Sequence, residues 1–414
     1  MRRVAPHLLL PTRTATGLES LAEYRARGGY DGLIAARGQD PARLRAEVAA
    51  SGLRGRGGAA FPTARKWDLA AAASADRKFV VANGGEHEPG SDKDRLLVQR
   101  HPHAVLEGLS LAGLATGATH GYVYLIEDMR PQRSSIEAAL SEAAGAGLLP
   151  FPIEVGTGPT TYVAGEETAA LEALEGRPAK PRKKPPFPGE AGLFGKPTTV
   201  NNVETLAHVA WIARHGAAAF ADIGTKESKG TLLFTLGREV ARPGVHELPF
   251  GSTFRELIEG CGGGLVGGRR LRAILPAMST GLLDARHLDV PIAYETLRPL
   301  GSSPGCGGVR LVLDDTDVVA MVLGIAEFFM QEQCGQCPPC RMETNQFVHI
   351  LKAVQAHKGP GYDDKLKKLA EFSRKKGNCS LIEMAAAPVL SALDVFAAEF
   401  AAAAGPGALP GATH

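Results

Sequence analysis

Little in this chain points toward a membrane or toward nucleic acid. Its longest apolar helical stretch, around Val318 to Met330, is interrupted by Glu327 and falls short of the roughly 20 residues that span a bilayer. The N-terminal segment MRRVAPHLLLPTRTATG holds only a three-leucine apolar run, too short for the core of a secretory signal. A surplus of one charge is missing too, with 46 Lys and Arg against 44 Asp and Glu and a formal net charge of +2. Binding along a phosphate backbone needs a concentrated excess of cations, so small molecules and proteins are the expected partners rather than nucleic acid. Cysteine is scarce, six in 414 residues, and four of the six are gathered in one pattern rather than spread as a disulfide framework. The expectation is a cytoplasmic protein without direct membrane insertion.

Those four cysteines are the most telling residues present. Cys334, Cys337 and Cys340 recur at a fixed spacing in QCGQCPPCRM, and Cys379 follows in GNCSL. Such a triple supplies three ligands to a 4Fe-4S cluster while the fourth returns from a distant loop, which points to electron transfer. A structural zinc would also accept four thiolates, though zinc sites usually present two separated pairs. Cys261 and Cys306 read as small core residues.

At 414 residues the chain is long enough for two or three domains. Up to about Gly224, apolar runs at Lys78 to Asn83 and Gly121 to Ile126 read as buried strands, with a helical pattern at His103 to Ala115 between them. Strand, helix, strand implies a parallel α/β sheet. From Gly230, TLLFTLG and VHELPFG flank the turn residues Arg242-Pro243-Gly244 and lead to a helix whose start is marked by the capping pair Thr253 and Glu256. This is the opening of a small α+β domain. Beyond Thr316 the pattern is purely helical, in four stretches at Asp317 to Gln331, Glu343 to Ala356, Asp363 to Lys376 and Leu381 to Ala402. Short polar loops between them fit an antiparallel bundle, with the cysteine triple and Cys379 at two of its corners.

Ser51 to Trp67, SGLRGRGGAAFPTARKW, is rich in glycine and basic side chains, so its backbone can approach a bulky anionic ligand closely. Its glycine spacing is not the dinucleotide fingerprint, and taken alone such a loop is more often an ordinary connection. Glu86 with Glu88, and Glu166 with Glu167, are acidic pairs suited to hydroxyl or carboxamide ligands, or simply to a solvated loop and a helix start. The basic run Lys180 to Lys184 reads by composition as a linker.

Together, SGLRGRGGAAFPTARKW, NGGEHEPGSDKDR, the segment from Tyr162 to Leu206 and CGQCPPC resemble the flavoprotein (51 kDa) subunit of respiratory complex I. The same module occurs in NAD-linked hydrogenases and formate dehydrogenases as the diaphorase subunit. The likeness runs in order from about Tyr24 to about Pro388. It implies α/β plus α+β plus α architecture: a Rossmann-like FMN and NADH domain over residues 1–225, a ubiquitin-like β-grasp domain of the soluble-ligand-binding type over 226–314, and a four-helix bundle with the 4Fe-4S cluster over 315–402, followed by a disordered tail over 403–414. It implies that Gly55, Arg56, Gly57, Gly58, Lys66, Asn83, Glu86, Tyr162, Gly165, Glu166, Asn201 and Asn202 hold FMN. Phe61, Glu88, Glu167, Lys184 and Phe187 correspond to NADH contacts, with Glu88 beside the nicotinamide as the catalytic position and Glu167 near the adenine ribose. A fixed charge at Glu167 would disfavour the extra phosphate of NADPH. Cys334, Cys337, Cys340 and Cys379 are the implied cluster ligands.

The resemblance implies an NADH dehydrogenase or diaphorase that takes hydride onto FMN and passes single electrons through the cluster to a ferredoxin or an iron-sulfur partner subunit. Three positions depart from the family pattern: Gly85 where an aspartate is common, Leu69 where a second adenine-stacking aromatic is usual, and Cys306 in place of serine. The first two motivate the alternative of a diverged electron-transfer or scaffold subunit with a different donor.

Overall fold

The computed structural model describes residues 7–10 and 17–405. The chain divides into two compact units, one of residues up to His87 with Ser91–Thr235 and Gly244–Ser252, the other of Glu88–Gly90, Leu236–Pro243 and residues from Thr253 on.

The first unit is built on a parallel sheet of β1 (Phe79–Asn83), β2 (His120–Ile126), β3 (Ile153–Gly158) and β4 (Thr198–Asn202), in the order β3-β2-β1-β4. β1 is parallel to both neighbours, with Val81 opposite Tyr122 on one side and Val200 on the other. Its residues Phe79 to Ala82 are all buried, the continuous apolar run of a strand covered on both faces. Helix Pro102–Thr116, which follows β1 in the chain, buries nearly every residue. It crosses helix Val203–His215 so closely that a Cβ on Gly108 would lie 1.9 Å from the Leu206 carbonyl oxygen, so only glycine fits there. Next to it the Glu107 carboxylate accepts hydrogen bonds from the Tyr24 hydroxyl (2.5 Å) and the Tyr30 amide (2.9 Å), tying the N-terminal helices to the core.

The strand order has a consequence for function. The chain passes from β1 outward to β2 and β3, then returns to place β4 on the other side of β1. Open α/β sheets leave a ligand crevice at the carboxyl ends of the strands where the winding reverses, here β1 and β4. Asn83 and Asn202 face each other in register at that edge.

β5 (Thr231–Leu236) and β6 (Gly244–Pro249) are sheet neighbours, as the turn residues between them imply. In the second unit β7 (Leu271–Leu275) pairs antiparallel with β8 (Leu283–Asp284) and with β9 (Gly308–Leu313), with a register shift between Leu271 and Ala273. The capping pair forms both of its bonds, Glu256 amide to Thr253 hydroxyl (3.1 Å) and Thr253 amide to Glu256 carboxylate (2.9 Å). The helix it opens is wound as a π-helix over Glu256–Cys261.

Beyond Thr316 the described residues form the helices Val318–Glu332, Pro338–Gln355, Tyr362–Ser373, Leu381–Val395 and Ala397–Ala404. Two bounds differ from expectation for identifiable reasons. The second helix starts at Pro338 rather than Glu343, because Pro338 and Pro339 occupy the first turn, where a missing N–H costs nothing. The segment expected as one helix to Ala402 bends by 92° at Phe396, and the bend stacks Phe400 on Tyr362 with ring centroids 6.2 Å apart. Residues 403 and 404 of the expected tail belong to this last helix, while 406–414 lie outside the described residues. Among the described residues no single helix is long and apolar enough to cross a membrane.

Candidate functional site

Helix Pro41–Ser51 ends at Gly52 in the left-handed conformation, and the chain then turns back on itself through a glycine-rich loop. The loop is closed by bonds from the Gly55 amide to the Phe61 carbonyl (2.9 Å) and from the Thr63 amide to the Leu53 carbonyl (3.1 Å). Gly58 has φ +104°, a region side-chain-bearing residues rarely adopt. A Cβ on Gly57 would lie 3.4 Å from the Asn202 Cβ, so the loop sits over the carboxyl end of β4. Helix Thr63–Ala72 follows and carries Lys66, whose ammonium donates to the Val200 carbonyl (3.0 Å) and to Glu167 (2.9 Å).

Arg56 sits in this loop but points away from the crevice. Its buried guanidinium donates to the carbonyls of Thr231 (3.0 Å), Arg54 (2.9 Å) and Lys229 (2.6 Å), and lies 4.8 Å over the Phe250 ring. Its amide donates to the Thr205 hydroxyl (2.8 Å). Arg56 therefore holds the loop's shape from within. We expect Arg56→Ala to destabilise the protein by roughly 2–4 kcal/mol, since it leaves one buried and two part-buried carbonyls without their donor at once, with Arg56→Lys recovering only a part because an ammonium cannot span the fork. Urea unfolding of the three proteins checks this.

A chain of short contacts runs across the carboxyl ends of β1 and β4. Asn83 donates through Nδ2 to the Gly165 carbonyl (2.9 Å) and accepts from the Gly85 amide (3.3 Å). Gly165 is delivered by a tight turn over Tyr162–Gly165. Asn201 is held by the Trp67 indole N–H (2.9 Å), and Asn202 caps helix Val203–His215 through the Glu204 amide (3.0 Å) while donating to Asp94 (2.7 Å). Beneath it Lys93, Asp94 and Glu204 form a buried ionic cluster, with Lys93 2.8 Å from Asp94 and 2.9 Å from Glu204. Spacing gave no sign of this cluster, although Lys93 and Asp94 lie inside the NGGEHEPGSDKDR motif.

Glu86 is buried and accepts from the Ser91 hydroxyl (2.5 Å) and the Arg95 amide (2.9 Å). Burial, reinforced by Asp94, pushes its carboxyl up to about 7. Burial likewise pushes the His87 imidazole down to about 4. These shifts act on stability in opposite directions. The folded protein binds the Glu86 proton more tightly than the unfolded chain, so that contribution is full below pH 4.5 and lost as pH rises through 7. It binds the His87 proton less tightly, so that contribution is gained as pH rises from 4 to 6.5. In flavin-free protein we expect Glu86→Gln to make the melting temperature climb across this window relative to the parent, and His87→Leu to make it fall, measured as melting curves at successive pH values.

On the β4 side, Glu166 caps helix Glu167–Leu174 with one oxygen, accepting from the Thr168 and Ala169 amides, and meets Lys184 with the other at 2.7 Å. Glu167 is clamped between Lys66 (2.9 Å) and Lys184 (3.1 Å). Burial alone would raise its carboxyl, but the two ammonium groups outweigh it and hold it at about 2. The basic run is thus no loose linker. Besides Lys184, Arg182 bonds Glu172, Glu175 (2.8 Å) and the Gly192 carbonyl (2.7 Å), which fastens the run to helix Glu167–Leu174. Phe61, Leu69 and Phe187 are large apolar side chains left 41%, 51% and 52% exposed on this unit, a ready surface for a flat ring. Helix Pro188–Ala191 brings Phe187 toward Leu69, since a Cβ on Gly189 would lie 3.6 Å from the Leu69 Cβ.

In the second unit Glu88 accepts from both the amide and the hydroxyl of Ser279 at 3.1 Å. Cys334 and Cys337 lie in the loop before helix Pro338–Gln355 and Cys340 in its first turn. The Asn378 amide donates to the Cys337 sulfur (3.3 Å), which brings the Cys379 loop to the triple. Burial and then the thiols of Cys379, Cys337 and Cys334 push the Cys340 thiol up to about 12, the mark of four sulfurs gathered around one place. Among the described residues no three Cys, His, Asp or Glu side chains converge on a single-ion geometry. The donor set, four cysteines and nothing else, fits an iron-sulfur cluster.

Three family models match this chain in order: the Nuo51 FMN-binding domain over residues 48–211, the SLBB domain over 235–280, and the NADH-ubiquinone oxidoreductase-F iron-sulfur binding region over 320–403. Fold and donor sets together define an FMN-binding, iron-sulfur oxidoreductase subunit. The second F subunit of NADH-quinone oxidoreductase from Rhizobium meliloti (strain 1021) is 39% identical over 394 residues, covering 92% of this chain and 94% of that protein. NADP-reducing hydrogenase subunit HndC of Solidesulfovibrio fructosivorans is 38% identical, covering 93% and 80%. The crystal structure of an air-oxidised NAD+-reducing NiFe hydrogenase superposes with a TM-score of 0.84 at 34% identity over 92% of this chain, which spans 66% of that longer one. The chain belongs to the family of NADH-quinone oxidoreductase F subunits.

Proposed function

We propose that this subunit oxidises NADH at FMN held in the crevice of the first unit and releases the electrons singly, through the cysteine-bound cluster, to an iron-sulfur partner subunit or a ferredoxin. The carrying observation is the convergence of the glycine loop, Asn83, Gly165 and Asn202 at the winding reversal of the parallel sheet. Bound FMN supplies conversion of a two-electron hydride into single electrons, which a cluster alone cannot do.

The protein's own groups supply position and charge. Gly55, Gly57 and Gly58 let the backbone approach the flavin, Arg56 fixes that loop, and Lys66, Asn83, Glu86, Tyr162, Gly165, Glu166, Asn201 and Asn202 line the pocket. Phe61 and Phe187 flank the adenine, with Leu69 in place of a second ring, and Lys184 neighbours the nucleotide phosphates. Glu88 corresponds by resemblance to the carboxylate beside the nicotinamide, and within its own unit it accepts two hydrogen bonds from Ser279. One relative is named for an NADP-reducing hydrogenase, so nucleotide choice rests on individual residues. Here the ionised Glu167 favours NADH. The three-part division at 225 and 314 and a cytoplasmic site of action without membrane insertion belong to the same proposal.

Anaerobic titration with NADH tests it. The visible absorbance of the bound flavin should bleach with NADH and respond far less to NADPH, whereas flavin that stays oxidised under excess NADH refutes the reading.

A further inference from the structure

Exposed cations without partners border the four cysteines of the second unit. Arg374, Lys375 and Lys376 follow helix Tyr362–Ser373 in the loop that carries Cys379, and all three are exposed. The Asn378 amide fastens that loop to the Cys337 sulfur at 3.3 Å. One helical turn beyond Cys337 stands a fourth exposed cation, Arg341, whose amide donates to the Cys337 carbonyl at 3.1 Å. Among the described residues none of these four side chains has a carboxylate partner. Earlier on the same helix the pattern is the opposite, with Lys367 paired to Asp363 at 3.0 Å and Lys368 to Asp364 at 2.8 Å. Glu371 and Glu383 flank the run in the chain, and Glu383 gives one oxygen to the Lys375 amide at 2.7 Å. Apolar surface accompanies the charge: Phe372 is 55% exposed, with the Lys376 ammonium 3.6 Å from its ring centroid. Permanent interfaces bury apolar cores depleted in charge, so a face of this kind suits a partner that comes and goes.

We propose that Arg341, Phe372, Arg374, Lys375 and Lys376 form the docking surface for a transient, acidic one-electron carrier protein, which takes its electron beside Cys379. The inference rests on the reading that electrons leave through the cysteine-bound cluster. Each NADH oxidised yields NAD+, one proton and two electrons, so two carriers are reduced in turn, the first leaving before the second docks. Opposite charges on the two faces speed encounter and set the orientation, salt weakens both effects, and a basic carrier is repelled.

Cytochrome c supplies matched probes, since the native protein is basic and succinylation of its lysines makes it acidic around the same haem. With the full chain holding both groups, binding of each form is measured first without NADH, then the second-order rate constant for its anaerobic reduction by NADH across a salt series. At low salt the parent should bind the acidic form more tightly and reduce it about 10-fold or more faster than the basic form, and the gap should close as salt rises. The triple substitution Arg374→Ser, Lys375→Gly and Lys376→Ser should slow reduction of the acidic form and leave that of the basic form unchanged or faster. A shift in cluster potential would move both rates the same way, so their divergence marks docking. Lys375→Gly alone removes a charge at a position whose φ of +59° favours glycine, and should act in the same direction by about twofold even if the triple variant folds poorly. Equal binding and rates for the two forms in the parent, or a triple variant as fast as the parent with the acidic form, overturns the docking surface. So does a dimer of the parent at low salt that the triple variant abolishes, since the face would then join copies of this chain. These outcomes leave the exit route intact, whereas reduction of both forms that survives Cys334→Ser overturns that route and this inference together.

Discussion

Cys334→Ser will separate the two halves of the electron path. Cys334 lies in the loop before helix Pro338–Gln355, partly exposed, with the Gln336 amide 3.5 Å from its sulfur, so its replacement disturbs little packing. A serine hydroxyl is a poor substitute for a thiolate, and losing a ligand outright costs more than the roughly 10–100-fold in affinity that follows from altering a ligand's hydrogen-bond partner. Iron and acid-labile sulfide should therefore fall to a small fraction of the parent, while FMN content stays. NADH oxidation by a dye that draws electrons directly from the flavin should remain within about twofold, and delivery to a protein acceptor should fall to background. If both activities survive, electrons do not leave through this cluster.

Glu167→Gln will change which nucleotide is used. At about 2, the Glu167 carboxyl is ionised at every working pH, and it shares Lys184 with Glu166 while pairing with Lys66. Removing that charge ends the repulsion of a 2′-phosphate and leaves the Lys66 ammonium without its carboxylate partner, able to receive it. The ratio of kcat/KM for NADPH over NADH should rise by about 10–100-fold, equivalent to ~1.4–2.7 kcal/mol. The gain should come mainly as a lower KM for NADPH, because the contact lies away from the reacting atoms. High salt should shrink it, since partly exposed charges are screened. An unchanged ratio would remove Glu167 from the nucleotide site.

What could be read from the sequence was what depends on short spacing. The cysteine triple, the glycine loop and the Thr253–Glu256 pair declare themselves within a few residues, and the parallel sheet shows in the buried run of β1. What could not be read depends on distant partners. The structural bonds of Arg56 gave no signal in the motif because its acceptors, Lys229 and Thr231, come from more than 170 residues away. The run at Lys180 to Lys184 looked like a linker because the carboxylates that fasten it are on a preceding helix. The helix at Pro338 was placed late because proline reads as a breaker unless its position in the first turn is known.

Flavin and cluster must share one chain and one pool of electrons for this mechanism to hold. Anaerobic addition of NADH to the protein holding both groups, with flavin absorbance and low-temperature electron paramagnetic resonance followed together, tests this directly. The prediction is bleaching of the flavin accompanied by the signal of a reduced 4Fe-4S cluster, with the Cys334→Ser protein showing the first and not the second. Flavin that bleaches in the parent while an intact cluster stays oxidised, under an NADH to NAD+ ratio low enough in potential to reduce it, would contradict the mechanism.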